Sequence, residues 1–297
     1  MNLKELTNIT NSCRKSYRNW ISVLIQLFME RTASKDKDVN IKVSLRDGKT
    51  IRIPYGWVTS YARLSKINNN NISNLELTIN GLSFSYKERK IILDPARFSD
   101  LDAVFFHEEY KFLNVTNKDV IDIGTNIGDS AIYFLINGAR RVIALEPYPY
   151  AFSVAERNVK LNNMSDIILI NSGYGEDSKM TVSEKISNNA SSLSASLNGK
   201  EIYILSLKTL IDKYNIENCV IKMDCEGCEY ALLSELDEVY KNIAMIQIEY
   251  HYGYENLVKK LLDVGFDVKY TNPRKYYNNE ADNKKMELGY IYAIKPT

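Results

Sequence analysis

At 297 residues and 45% apolar content, the chain is long enough to bury the core of one large domain or two modest ones without staples. Its 38 Lys and Arg balance 37 Asp and Glu, which leaves no global electrostatic footprint for nucleic acid or an anionic membrane. Four cysteines and two histidines in a chain of this length make neither a disulfide framework nor a Cys/His zinc cage of the usual spacing.

Trp20, Val23, Leu24, Leu27 and Phe28 recur at helical spacing and predict a helix that docks on its own core through that stripe. The apolar run ending at Phe28 is well short of the ~20 residues that span a bilayer. No small-residue cleavage site follows it, so a cytoplasmic protein without membrane insertion is expected. Next, Val39, Ile41, Val43 and Leu45 alternate up to Asp47-Gly48, and Ile51 and Ile53 resume the alternation, which predicts a hairpin. A second hairpin is expected from Leu75, Leu77 and Ile79, the turn at Asn80-Gly81, and then Leu82, Phe84 and Tyr86. Residues 1–100 thus read as an N-terminal helix and β-hairpin region, and 101–297 as a separate domain.

From residue 119 short apolar runs alternate with helical segments, the pattern of a parallel sheet covered by helices. Strands are expected at Val120 to Ile123, Val142 to Leu145, Ile167 to Ile170, Val220 to Met223, Ile243 to Ile248 and Phe266 to Tyr270, with a last one at Tyr290 to Ile294. Helices are expected from about Gly128, Tyr150, Gly227 and Glu255. Ser178 to Lys200 is polar and rich in Ser and Asn, and reads as a surface loop outside the sheet.

The segment DVIDIGTNIGDSAIYF at 119–134 runs strand, glycine turn, helix, a place for close backbone approach to a ligand. Gly124 and Gly128 lie four apart with Asn126 between them, which is not the G-x-G-x-x-G of a pyrophosphate-binding turn. Asp122, at the carboxyl end of that strand, suits the ammonium of a methionine moiety. Glu146, 22 residues after Gly124, ends the next strand where an acid reads both hydroxyls of a ribose. Adenosine carrying a cationic amino-acid tail, S-adenosylmethionine, is the ligand these acids imply.

At 220–230 the sequence reads VIKMDCEGCEY, which puts Lys222 inside a central strand where it needs a counter-charge. Strand parity predicts an ion pair of Lys222 with Glu249 or Asp224. Asp224, Glu226 and His251 are the candidate catalytic residues, each able to take the proton of a hydroxyl acceptor. Cys225 and Cys228 have the spacing of a redox dithiol but read as two small residues filling tight space beside a glycine. Asp224, Glu226 and Glu249 offer hard oxygen ligands suited to a divalent metal such as magnesium, but no spacing rule makes them a metal site.

DVIDIGTNIGDSAIYF, RVIALEP, SLKTLIDKY at 206–214 and VIKMDCEGCEYALL together resemble the FkbM family of methyltransferases. The resemblance implies an α/β, Rossmann-like class I methyltransferase fold. Its seven-stranded, mostly parallel sheet has helices on both faces and an antiparallel last strand, and here it follows a smaller strand-rich N-terminal region. It also implies a cofactor site for S-adenosylmethionine at Asp122, Gly124, Asn126, Gly128, Glu146 and Pro147, with Thr125, Ser172 and Gly173 counted beside them. Lys222, Asp224, Glu226 and Gly227 match the family's second motif, which Glu229 continues. Thr125, Cys225 and Cys228 depart from it, the first standing where alanine is usual and the others where small aliphatic residues are common.

The reaction the resemblance implies is O-methylation of a sugar, glycan or small-metabolite hydroxyl. RNA is a rival acceptor that the balanced charge and the lack of a basic aromatic tract count against. A non-catalytic adenosine-binding module would carry the same glycines and Glu146, and intact Asp224 and Glu226 lean against it. The N-terminal region matches no motif and is left to acceptor choice or homo-oligomerisation.

Overall fold

The computed structural model describes residues 3–32, 40–65, 67, 70–95, 101–184, 193–279 and 284–296. The chain divides into two compact units between Glu108 and Glu109.

The first unit opens with helices α1 (Leu3–Ser16) and α2 (Trp20–Thr32). A hairpin of β1 (Asn40–Ser44) and β2 (Thr50–Pro54), helix α3 (Tyr55–Leu64) and an antiparallel meander of β3 (Ile72–Thr78), β4 (Gly81–Tyr86) and β5 (Arg89–Leu93) follow. Ile41 faces Ile53 and Val43 faces Ile51 across the first hairpin, and Ile41, Val43 and Ile53 are buried, so the alternation sets the register as expected. Two details differ from the sequence reading. On α2 only Val23 and Leu27 of the predicted stripe are buried, whereas Phe28 joins Ile21, Ile25 and Met29 on the exposed side. Ile79 is not a strand residue but part of the β3–β4 turn, 74% exposed, because the hairpin closes at Thr78↔Gly81.

The second unit is built on the sheet β14-β16-β13-β12-β6-β7-β8. In chain order its elements are β6 (Asp119–Ile123), α4 (Asp129–Ile136), β7 (Arg141–Leu145), α5 (Pro149–Leu161), β8 (Ile167–Ile170), β9 (Ser172–Tyr174), β10 (Ser178–Val182), β11 (Lys200–Leu205), α6 (Leu207–Tyr214), β12 (Cys219–Met223), β13 (Ile243–Tyr250), α7 (Glu255–Asp263), β14 (Asp267–Tyr270), β15 (Lys275–Asn279) and β16 (Lys284–Ile294). Strands β13, β12, β6, β7 and β8 are mutually parallel, and β16 inserts antiparallel between β13 and β14. This is a Rossmann-like, mostly parallel α/β sheet with one antiparallel strand inserted, as expected. All five residues of β6 and of β12 are buried, which is why their sequences run apolar without alternation.

Strand order reverses between β6 and β12: the chain leaves β6 toward β7 and β8, then returns to lay β12 and β13 on the other side. The carboxyl ends of β6 and β12 therefore flank a switch point, the place where open α/β sheets bind ligands.

Three segments depart from expectation. Gly227, at φ 115, opens a 3₁₀ helix over Cys228–Ser234 rather than an α-helix. Ser178 to Lys200 is not simply a loop: its ends supply β10 and the start of β11, which pair antiparallel and join β9 in a separate three-stranded sheet. Val182, Ile202 and Ile204 form a small buried core between these strands, while the polar Ser and Asn residues around them masked the pattern. The last strand begins at Lys284, well ahead of Tyr290. No helix among the described residues is long and apolar enough to cross a membrane.

Candidate active site

Beneath the switch point lies a buried ion pair. Lys222 and Asp122 are register partners on β12 and β6, and Lys222 Nζ stands 3.1 Å from Asp122 Oδ1 with both side chains out of solvent. Lys222 also donates to the carbonyls of Gly124 (2.6 Å) and Ile123 (3.3 Å), and Ser130 Oγ donates to Asp122 Oδ2 at 2.6 Å. Burial opposes the lysine's charge, but Asp122 and Asp224 outweigh it and hold the ammonium above its usual range. Two readings are corrected by this geometry. The partner of Lys222 is Asp122 across β6, not Glu249 or Asp224. Asp122 itself is fully buried against the protein's own ammonium.

Above that pair the turn from Gly124 to Gly128 is fixed by main-chain bonds. The N–H groups of Gly124 and Thr125 both donate to the Leu145 carbonyl at 3.0 Å, and Asn158 on α5 donates to the Ile127 carbonyl at 2.9 Å. Gly124 has φ +78, and a Cβ there would lie 1.9 Å from the Asp224 carbonyl oxygen. The missing side chain thus lets the end of β12 pack against the turn, where the sequence reading had reserved the space for a ligand. Gly128, at φ +81, caps α4 with Ala155 closing on it. Thr125 is buried, its hydroxyl 3.4 Å from that of Ser130.

Glu146, just past β7, is 5% exposed. Its Oε2 accepts the Asn126 N–H at 3.0 Å and its Oε1 the Tyr148 N–H at 2.9 Å, so each oxygen keeps a lone pair for a further donor. Burial pushes the carboxyl up to about 7 against those two bonds. Next to Pro147, Asn171 Nδ2 donates to the Glu146 and Pro147 carbonyls at 2.9 and 3.0 Å. Ser172 and Gly173 follow on β9, and the buried Ser172 hydroxyl has no hydrogen-bond partner among the described residues.

A second group of side chains gathers where β12 and β13 end. Asp224, Glu249 and His251 each place a polar atom within 4.8 Å of the others. The His251 ring, 2% exposed, lies between two acids: Nδ1 is 3.0 Å from Glu229 Oε1 and Nε2 is 3.4 Å from Glu226 Oε2. Burial alone would lower the ring's pKa, but the bond to Glu229 and the charges of Glu229, Glu226 and Asp224 raise it to about 9. Burial and the Asp224 charge keep the Glu249 carboxyl well above the usual range. Tyr290, opposite Glu249 on β16, donates its hydroxyl to Glu109, and burial with these two acids raises its pKa.

Asp224, Glu226 and His251, singled out from the sequence, are thus brought together. Glu229 had no assigned role and Glu109 was not singled out at all. Glu229 was legible as the last acid of its motif, whereas Glu109 reaches the cluster through β16 and leaves no local signal. Cys225 and Cys228 are joined in a disulfide, so they are not two free thiols filling space, and the expectation of no staples is corrected. Cys13 and Cys219 are buried and belong to no disulfide among the described residues.

Residues 122–268 match the family described as Methyltransferase FkbM domain. A protein of Methanocaldococcus jannaschii assigned as a protein N5-glutamine methyltransferase is 32% identical over 87 residues, 23% of this chain and 44% of that relative. The match therefore spans less than half of the relative's length. Among solved structures, a transferase from Pyrococcus horikoshii superposes with TM-score 0.41 and 14% identity over 82% of this chain and 84% of that one. TYW2 of M. jannaschii, solved with AdoMet, gives TM-score 0.40 and 16% identity over 74% and 88%.

Proposed function

We propose, from the premise that residues 122–268 belong to the FkbM methyltransferase family, that this methyltransferase moves the methyl group of S-adenosylmethionine onto a hydroxyl of a sugar, glycan or small metabolite. One observation carries the reading: the Gly124 turn packs so closely on the backbone of Asp224 that no Cβ fits between them. A nucleoside gripped at Glu146 and an acceptor held at Asp224 therefore share one crevice.

The residues fit the donor. Glu146 retains lone pairs for ribose hydroxyls after binding two N–H groups, and the buried Ser172 hydroxyl, without a partner among the described residues, is open to one from a ligand. Asp122 and Lys222 hold the floor rather than the ligand. S-adenosylmethionine, when bound, supplies a sulfonium methyl whose C–S bond breaks as the C–O bond forms, leaving S-adenosylhomocysteine.

Asp224 accepts the acceptor's hydroxyl proton, which raises the nucleophilicity of the oxygen as it attacks. Glu226 and His251 flank it. With its pKa raised to about 9 the His251 ring is cationic at neutral pH, so it supplies positive charge beside Asp224 instead of serving as the base there.

Isothermal titration with S-adenosylmethionine, followed by cofactor turnover in Asp224→Asn, tests this. Binding is expected to persist while turnover falls by about 10²-fold or more, the usual contribution of a positioned base. Unchanged turnover removes Asp224 from the chemistry.

A further inference from the structure

We infer that Glu229 is a positioning residue for His251, seating the ring through Nδ1 so that Nε2 is presented to the carboxylates of Glu226, Asp224 and Glu249. The inference rests on the methyl-transfer reading only for what the ring then does; the seating itself stands on geometry.

Glu229 is fully buried, so its carboxylate works inside the protein. One oxygen, Oε1, is 3.0 Å from His251 Nδ1 and also accepts the His251 backbone N–H at 2.9 Å. The other, Oε2, accepts the Gly227 N–H at 2.8 Å. A single side chain therefore ties the loop that carries Asp224 and Glu226 to the segment after β13 that carries His251. A buried carboxylate left without a cation is costly, and the imidazolium is the cation in contact with it.

With Nδ1 committed to Glu229, the ring's orientation is set and Nε2 is turned toward Glu226. The ionisable groups that face the ring are Asp224, Glu226, Glu229 and Glu249, the last with its carboxyl held well above the usual range, and the Tyr230 hydroxyl lies against its backbone. The ring places a positive charge among these acids, beside Asp224. Glu229 thus sets the orientation and the charge of a ring that stands beside Asp224.

The test uses Glu229→Gln, which keeps the shape and removes the charge, and Glu229→Asp, which keeps the charge. The chain has two histidines, exposed His107 and buried His251, so imidazole NMR resolves each titration. In the wild-type protein His251 is expected to stay doubly protonated through neutral pH. In Glu229→Gln its midpoint moves down by about one unit or more while that of His107 stays put. At pH 7, kcat for methyl transfer falls about ten-fold or more with KM for S-adenosylmethionine within about two-fold, and Glu229→Asp restores part of kcat.

A His251 midpoint unmoved in Glu229→Gln overturns the proposal. Should that variant fail to fold, the wild-type Nδ1 proton decides: a downfield, exchange-protected resonance supports the bond to Glu229, and a rapidly exchanging one overturns it. A shifted titration in protein that transfers methyl groups to no hydroxyl acceptor leaves the seating intact and removes the O-methylation reading.

Discussion

Lys222 and Asp122 stand directly opposite each other on adjacent parallel strands, 3.1 Å apart and sealed from water, and they join the two halves of the sheet at its switch point. Each is the neutralising partner of the other, and Lys222 additionally anchors the carbonyls of Ile123 and Gly124 at the root of the glycine turn.

Cutting one side of this pair strands the other charge in the core. Lys222→Met is expected to lower the unfolding free energy by about 3 to 5 kcal/mol, the usual result of breaking a buried pair. Pairing it with Asp122→Leu recovers part of that loss, since two apolar side chains leave no charge unpaired. Urea denaturation of both variants measures this. A loss below about 1 kcal/mol in the single variant contradicts the buried pairing.

The disulfide has a simple chemical signature. Under denaturing, non-reducing conditions the protein is expected to present two reactive thiols, Cys13 and Cys219, rising to four after reduction. Thiol titration reads the count directly. Four thiols before reduction mean that Cys225 and Cys228 are not joined.

The strands of the main sheet were readable because β6, β7 and β12 are buried on both faces and so leave short apolar runs, broken only by Asp122 and Lys222, that end at glycine or acid. Their pairing was not. Lys222 lies about a hundred residues from Asp122, and parity on β13 pointed to Glu249 with equal force, because Lys222 is also in register with Gln247. Register between strands is a tertiary choice. The same limit hid β10 and β11, whose Val182, Ile202 and Ile204 form a core only once the strands pair, and Glu229, whose role exists only once β13 delivers His251 beside it. Gly124 was legible as a special position, but its reason, the carbonyl of Asp224, lies on another strand.

Glu146 links proton uptake to both stability and binding. Its folded pKa is raised by burial from 4.5 to about 7, so the folded chain binds the extra proton. Its contribution is therefore fully present below the unfolded value and is lost as pH climbs from about 4.5 to about 7, on the order of 3 kcal/mol. Glu146→Gln, which cannot ionise, is expected to flatten that slope in thermal unfolding measured from pH 4 to 8. Ribose hydroxyls are better bound by the ionised form, so wild-type affinity for S-adenosylmethionine should rise through pH 7. Glu146→Ala should weaken it by about 1 to 3 kcal/mol, the cost of leaving paired polar groups unsatisfied. Wild-type affinity in that variant would refute the ribose assignment.

Asp224, Glu249 and His251 have the donor atoms of a divalent metal site, all within 4.8 Å of one another, and the protonation of the imidazole bears on whether an ion enters. At pH 7 a ring whose pKa is about 9 carries both protons, so it has no lone pair to offer. Displacing one proton costs about 3 kcal/mol before any bond to a metal forms. The imidazolium already supplies positive charge among these acids, and Glu229 holds it there. Methyl transfer at pH 7 is accordingly expected to survive treatment with a chelator and to gain less than about two-fold from added magnesium. A ten-fold fall on chelation, reversed by magnesium and lost in His251→Gln, would show that an ion and not a proton neutralises this cluster.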